Sequence, residues 1–173
     1  VILATKLPCW KVEKHEDMMA ILDEQLEKLQ TDHVDFYILH ALNNGRLDEM
    51  NSYDYKGFYK EALAQGKIRY PGFSFHDDYA CFMDILNDWD QWGMAQIQFN
   101  YLDDDKQATE AGLIAAGKAG VPIVVCTLKG TSNLFHNMKR LKPTRIQLHL
   151  VDVIPAEELK GKSTAEISDR VYE

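Results

Sequence analysis

The sequence predicts an α/β fold of parallel strands, part of a (β/α)8 TIM barrel, on three observations. Apolar runs alternate with amphipathic helical patterns, and the run starts lie 25 to 35 residues apart, a spacing that suits βα units. Several runs are nearly continuous rather than alternating, as strands covered on both faces tend to be. Polar residues stand at the C-terminal ends of successive runs: Lys6, His40, Ser74 with His76, and Asn100. An open doubly wound sheet that binds nucleotides carries a Gly-rich turn, and neither G-x-G-x-x-G nor the full G-x-x-x-x-G-K-[ST] occurs here. In a barrel, strand ends converge on one mouth where the chemistry is placed.

The elements follow in order. Strands are expected at "VILATK" (1–6), "VDFYILH" (34–40), "RYPGFSFH" (69–76), "MAQIQFN" (94–100) and "VPIVVCTL" (121–128). In "HEDMMAILDEQLEKLQ", Met18, Leu22, Leu26 and Leu29 fall on one helical face, with acids at the start and Lys28 near the end, as the helix dipole favours. "YKGFYKEALAQG" closes on Gly66 as a helix-ending glycine. In "DDYACFMDILNDW", Asp77 or Asp78 can cap while Tyr79, Phe82, Met83 and Leu86 share a face. "KQATEAGLIAAGKAG" ends on Gly120 and leads directly into the next strand. The stretch "RIQLHLVDV" (145–153) alternates apolar and polar residues, like a half-exposed strand rather than a barrel strand.

Composition excludes several classes. The chain has 173 residues, enough for one domain with a substantial core. Its net charge is −8, with Lys and Arg spread along the chain, which argues against nucleic acid or an anionic membrane as partner. No apolar run reaches the ~18 residues of a membrane span. Cys9, Cys81 and Cys126 are far apart and include no C-x-x-C pair, so neither a disulfide framework nor a zinc or iron–sulfur site is encoded. These features predict a cytoplasmic-type protein. His76 with Asp77 lacks a third ligand at suitable spacing, so helix capping is the better reading than metal.

Four segments carry a resemblance. "ILATKLP", "LDEQLEKLQTDHVDFYILHALN", "EALAQGKIRYPGFSFHD" and "QIQFNYLDDDKQA" resemble consecutive segments of the aldo-keto reductases, nearest to the microbial branch whose members often carry a ferredoxin-like module. The resemblance covers roughly residues 1–130 as one barrel segment, about strands 3 to 7, with 131–173 expected in the same domain. It implies reduction of an aldehyde or ketone by NADPH, with a catalytic Asp, Tyr, Lys and His. Lys6 matches the family lysine and His40 the family histidine. Ser74 and Gln96 match positions that hold the nicotinamide carboxamide, and Leu128, Lys129 and Gly130 the loop around the pyrophosphate. The family Asp and Tyr belong to a segment before Val1, and Tyr37, Tyr70 and Tyr101 do not match that tyrosine. Cys126 and Thr127 stand where Glu-Pro or Ser-Pro is usual, and no iron–sulfur module is present.

Those residue types suit the reaction. A tyrosine is a weak acid near pH 7, so a nearby lysine ammonium serves to lower its pKa. A neutral imidazole can hydrogen-bond and orient the substrate oxygen. Taken alone, Lys6 reads as a strand-end charge reaching solvent and His40 as a hydrogen-bonded core histidine; Ser74 and Gln96 could simply satisfy backbone groups at the rim. Two other functions compete: a cofactor-binding regulatory protein on a reductase scaffold, and another (β/α)8 enzyme with Lys6 as Schiff-base lysine. A typical barrel takes about 250 residues. The first strands, and the proton donor, are therefore expected from a preceding segment or a partner chain.

Overall fold

The computed structural model describes residues 2–97, 107–121, 123–129, 137–140, 142–144, 147–155, 158, 162–163 and 165–166. Of the segment 123–129 and of 147–151 only the backbone is described. Four strands, β1 (Ala4–Leu7), β2 (Val34–Leu42), β3 (Ile68–Phe75) and β4 (Met94–Gln96), form one sheet in that order. Every pairing in it is parallel, with Lys6 opposite Ile38, Ile38 opposite Gly72, and Ser74 opposite Gln96. Helices α1 (His15–Leu29), α2 (Asn44–Ser52), α3 (Tyr55–Ala64) and α4 (Tyr79–Asp88) fill the crossovers, and α5 (Thr109–Lys118) follows β4. This strand–helix alternation is the predicted α/β barrel segment.

Helix ends follow the sequence signals. Asp78, not Asp77, caps α4 by accepting from the Cys81 amide at 2.9 Å, while Asp77 accepts from the amide of Asp78. Asn43 caps α2 through the Arg46 amide, also at 2.9 Å. Gly66 and Gly120 close α3 and α5 with φ of 70° and 86°, a backbone region that favours glycine. Helix α2 and the short 3-10 turn Cys9–Lys11 have no counterpart among the predicted helices. Helix α2 is mostly polar and Cys9–Lys11 is only three residues long, so neither gives a periodic signal, and packing decides them.

The two sheet faces differ. Tyr37, Leu39, Phe73 and Phe75 face the helices and join Met18, Leu22, Leu26, Phe58 and Phe82 in one buried core. Leu29 is exposed at the last residue of α1, and the buried stripe of α4 is Cys81, Phe82, Ile85 and Leu86 rather than one through Tyr79. Tyr59 binds the core's layers together: its buried hydroxyl lies 3.0 Å from the Tyr37 carbonyl and 2.9 Å from that of Gly72. Rings of Tyr55, Tyr59, Trp89 and Trp92 stack or meet edge to face at 5.2 to 6.1 Å. Tyr70 on the opposite face, stacked on Phe36 at 5.1 Å, stays half exposed.

Strand β5 (Ile123–Lys129) departs from the parallel order. It pairs antiparallel with β6 (Gln147–Ile154) in a separate two-stranded sheet. The alternating pattern of 145–153 fits this, because antiparallel strands commonly keep one face toward water while parallel barrel strands are covered on both. Val153 is exposed and Ile154 buried, in keeping with that alternation.

Candidate active site

The polar strand ends gather at one corner of the sheet. Strand β1 brings Lys6 beside β2, and His40 follows two residues after Ile38, the register partner of Lys6. Gln25 of α1 donates from Nε2 to the Lys6 carbonyl at 3.0 Å, holding the edge strand where no further strand pairs with it among the described residues. The Trp10 ring, more than half exposed, tilts against the His40 imidazole with centroids 5.0 Å apart. Neither Gln25 nor Trp10 stood out in the sequence, since each acquires its neighbour only through tertiary packing.

Charge at this corner is concentrated. Burial lowers the pKa of Lys6 from the ordinary lysine value. Burial first, and then the positive charges of Lys6, His76 and Arg46, hold the His40 imidazole below its ordinary value. His40 is therefore neutral near pH 7, the form that can donate a hydrogen bond to a substrate oxygen and accept one at its other nitrogen. Arg46 donates through a guanidinium nitrogen to the Ala41 carbonyl.

Ser74 is buried, and its hydroxyl accepts from the Ala41 amide at 2.8 Å and donates to the Leu39 carbonyl at 3.3 Å. Gln96, its register partner on β4, is exposed. Leu128 and Lys129 end β5, with their side chains outside the described residues, and Gly130, Asn100 and Tyr101 lie outside them altogether. The structure thus brings Lys6 and His40 together and sets Ser74 and Gln96 side by side, one and two strands away.

Several other reactive groups are remote or inert. Tyr37, Tyr55 and Tyr59 are buried on the helix side, which raises their pKa values. Tyr70 is level with Phe36 rather than His40, about 13 Å down the strand at ~3.3 Å per residue. Burial pushes the Cys9 and Cys81 thiols up to about 11, so both stay protonated and unreactive near neutrality. Among the described residues no group of three or more His, Cys, Asp or Glu could hold a metal ion, and no helix is long and apolar enough to cross a membrane.

The aldo/keto reductase family model matches residues 1–153. The chain belongs to the aldo/keto reductase family. Among solved structures, an aldo-keto reductase from Bacillus halodurans in its holo form is 25% identical, with a TM-score of 0.57 over 70% of this chain and 38% of that one. A thermostable aldo-keto reductase solved with the inhibitor epalrestat is 27% identical, with a TM-score of 0.53 over 68% of this chain and 41% of that one. An aldo-keto reductase complexed with NADPH is 20% identical, with a TM-score of 0.50, over 69% of this chain and 36% of that one. This aldo/keto reductase chain therefore spans about two-fifths of the length of the structures it matches. No curated protein matches the chain.

Proposed function

We propose that the protein to which this chain belongs reduces an aldehyde or ketone to an alcohol with NADPH. The observation that carries the reading is the pairing of Lys6 and His40 on adjacent strand ends in an aldo/keto reductase chain. His40, neutral, hydrogen-bonds the carbonyl oxygen and orients it. Lys6 supplies a positive charge that lowers the pKa of the group donating the proton to that oxygen. Gln25 positions Lys6 from behind, and the Trp10 ring beside His40 gives the carbonyl compound an apolar wall.

The residues present suit a nicotinamide. The exposed Gln96 amide offers a donor and an acceptor complementary to a carboxamide, and the Ser74 hydroxyl beside it keeps a lone pair for one more contact. Leu128, Lys129 and Gly130 are assigned to the pyrophosphate. The cofactor supplies the hydride when bound.

The proton donor is a tyrosine outside residues 1–173, in a preceding segment or a partner chain that also covers the open inner face around Phe36 and Tyr70. Support comes from Tyr37, Tyr55 and Tyr59, buried in the core, and from Tyr70, level with Phe36 rather than His40. The same observation favours, as a second reading, a cofactor-binding regulatory protein without catalysis. Oxidation of NADPH by the intact natural polypeptide, followed across a panel of aldehydes and ketones, separates the two. Turnover upholds the reductase, saturable NADPH binding without turnover upholds the regulator, and neither result sinks both.

A further inference from the structure

The corner that holds His40 is basic, although the chain is acidic with net charge −8. Lys6 and Arg46 direct positive charge at His40, as does His76 when protonated. Among the described residues, no carboxylate forms an ion pair with any of the three, whereas Lys56, Lys67 and Arg69 elsewhere pair with Asp88, Asp23 and Asp35. The acids nearest His76 in sequence are engaged at α4: Asp78 caps the helix and Asp77 accepts from the Asp78 amide. Glu49, one turn beyond Arg46 on α2, is exposed.

Arg46 is also held in place. Its amide donates to the Asn43 cap, and its guanidinium donates to the Ala41 carbonyl, immediately after His40. A guanidinium anchored by one N–H keeps other donors in a planar fork and loses little further freedom on binding an oxyanion. Lone exposed lysines, by contrast, are strongly hydrated and make weak anion sites.

Building on the carbonyl-reductase reading, we propose that the substrate carries an oxyanion, a carboxylate or phosphate, bound by Arg46 with His76 beside it while His40 holds the carbonyl. Arg46 is then a specificity-determining residue. A purely structural Arg46, tying α2 to β2, would affect all substrates alike.

Kinetics on the intact natural polypeptide test this with 4-oxobutanoate against butanal, the same carbon chain with and without a carboxylate. The expected preference in kcat/KM for 4-oxobutanoate is tenfold or more. Arg46→Gln should compress that ratio by about 10- to 100-fold, the range of a charge-assisted hydrogen bond, mostly through KM. Arg46→Lys should restore part of it. His76→Gln, which leaves the Ala41 tie intact, should compress the ratio by a smaller factor. Glyceraldehyde 3-phosphate against glyceraldehyde tells whether phosphate is the preferred oxyanion. No preference for either anionic compound, or an unchanged ratio in Arg46→Gln and His76→Gln, overturns the proposal. If no carbonyl compound is turned over, the reductase reading fails separately. Calorimetric titration with succinate then decides: saturable binding lost in Arg46→Gln upholds the anion site, and its absence overturns it.

Discussion

The Ser74 hydroxyl accepts a hydrogen bond from the backbone amide of Ala41 at 2.8 Å, and this contact lies where β2 breaks register with β3. Ala41 has a φ of 56°, a left-handed conformation that a non-glycine residue adopts only when its surroundings hold it there. Ser74 holds its N–H and Arg46 its carbonyl. The irregularity immediately follows His40, so two side chains from outside β2 set how that strand end leaves the sheet.

Ser74→Ala should therefore destabilise the fold, because it strips a partner from the part-buried Ala41 amide. The expected loss is about 1–3 kcal/mol, measured as a lowered midpoint of urea unfolding with unchanged slope. An unaltered midpoint would show that water or a backbone shift replaces the hydroxyl.

Lys6→Met should depress turnover by at least the ~10²-fold typical of lost acid–base assistance, with NADPH affinity changed far less. His40→Ala should impair kcat and substrate KM together, since the imidazole touches the substrate oxygen. Near-native turnover in either variant rules out the role given to that residue.

His40 should titrate below the ordinary imidazole value of 6.5, because burial and then Lys6, His76 and Arg46 disfavour its charged form. Between the folded and unfolded values, the unfolded chain binds more protons. Its contribution to stability is thus full above about pH 6.5, falls as the pH drops through that value, and levels off beneath the folded pKa. An NMR titration of the ring, assigned by its loss in His40→Gln, measures the midpoint. Lys6→Met should move it upward; a wild-type midpoint above 6.5 would contradict the electrostatics.

Gly72→Ala should also destabilise, by steric conflict rather than a lost bond. A Cβ there would lie 2.9 Å from the Met94 carbonyl oxygen and 3.1 Å from the Met94 Cβ. The clash sits between β3 and β4, so β4 must shift, at a cost of about 1–3 kcal/mol. Faster amide exchange in β4 than in β1 would locate the damage; a native melting temperature would exclude it.

Much of this was legible in the residues themselves. Continuous apolar runs and helical stripes encode the βα order, since each element must bury its own apolar surface wherever it is placed. Glycine and carboxylate signals marked helix ends because capping is local chemistry: Gly66, Gly120 and Asp78 needed only neighbours within a few residues. Lys6 and His40 could be singled out because a polar group ending a buried strand is unusual, and because ordered family segments surround them.

The sequence by itself determined the parallel α/β plan, its helix ends and the residue types at the strand ends. Only the tertiary structure decided what those residues meet. Gln25 behind Lys6, Trp10 against His40, and Arg46 and Ser74 on either side of Ala41 join residues 5 to 33 positions apart. The antiparallel pairing of β5 with β6 was likewise open, because alternation says that a strand has one wet face but not which strand lies beside it. Local periodicity records whether a residue is covered. Which charge faces which ring depends on register and crossover, and these are set by the packing of the whole sheet.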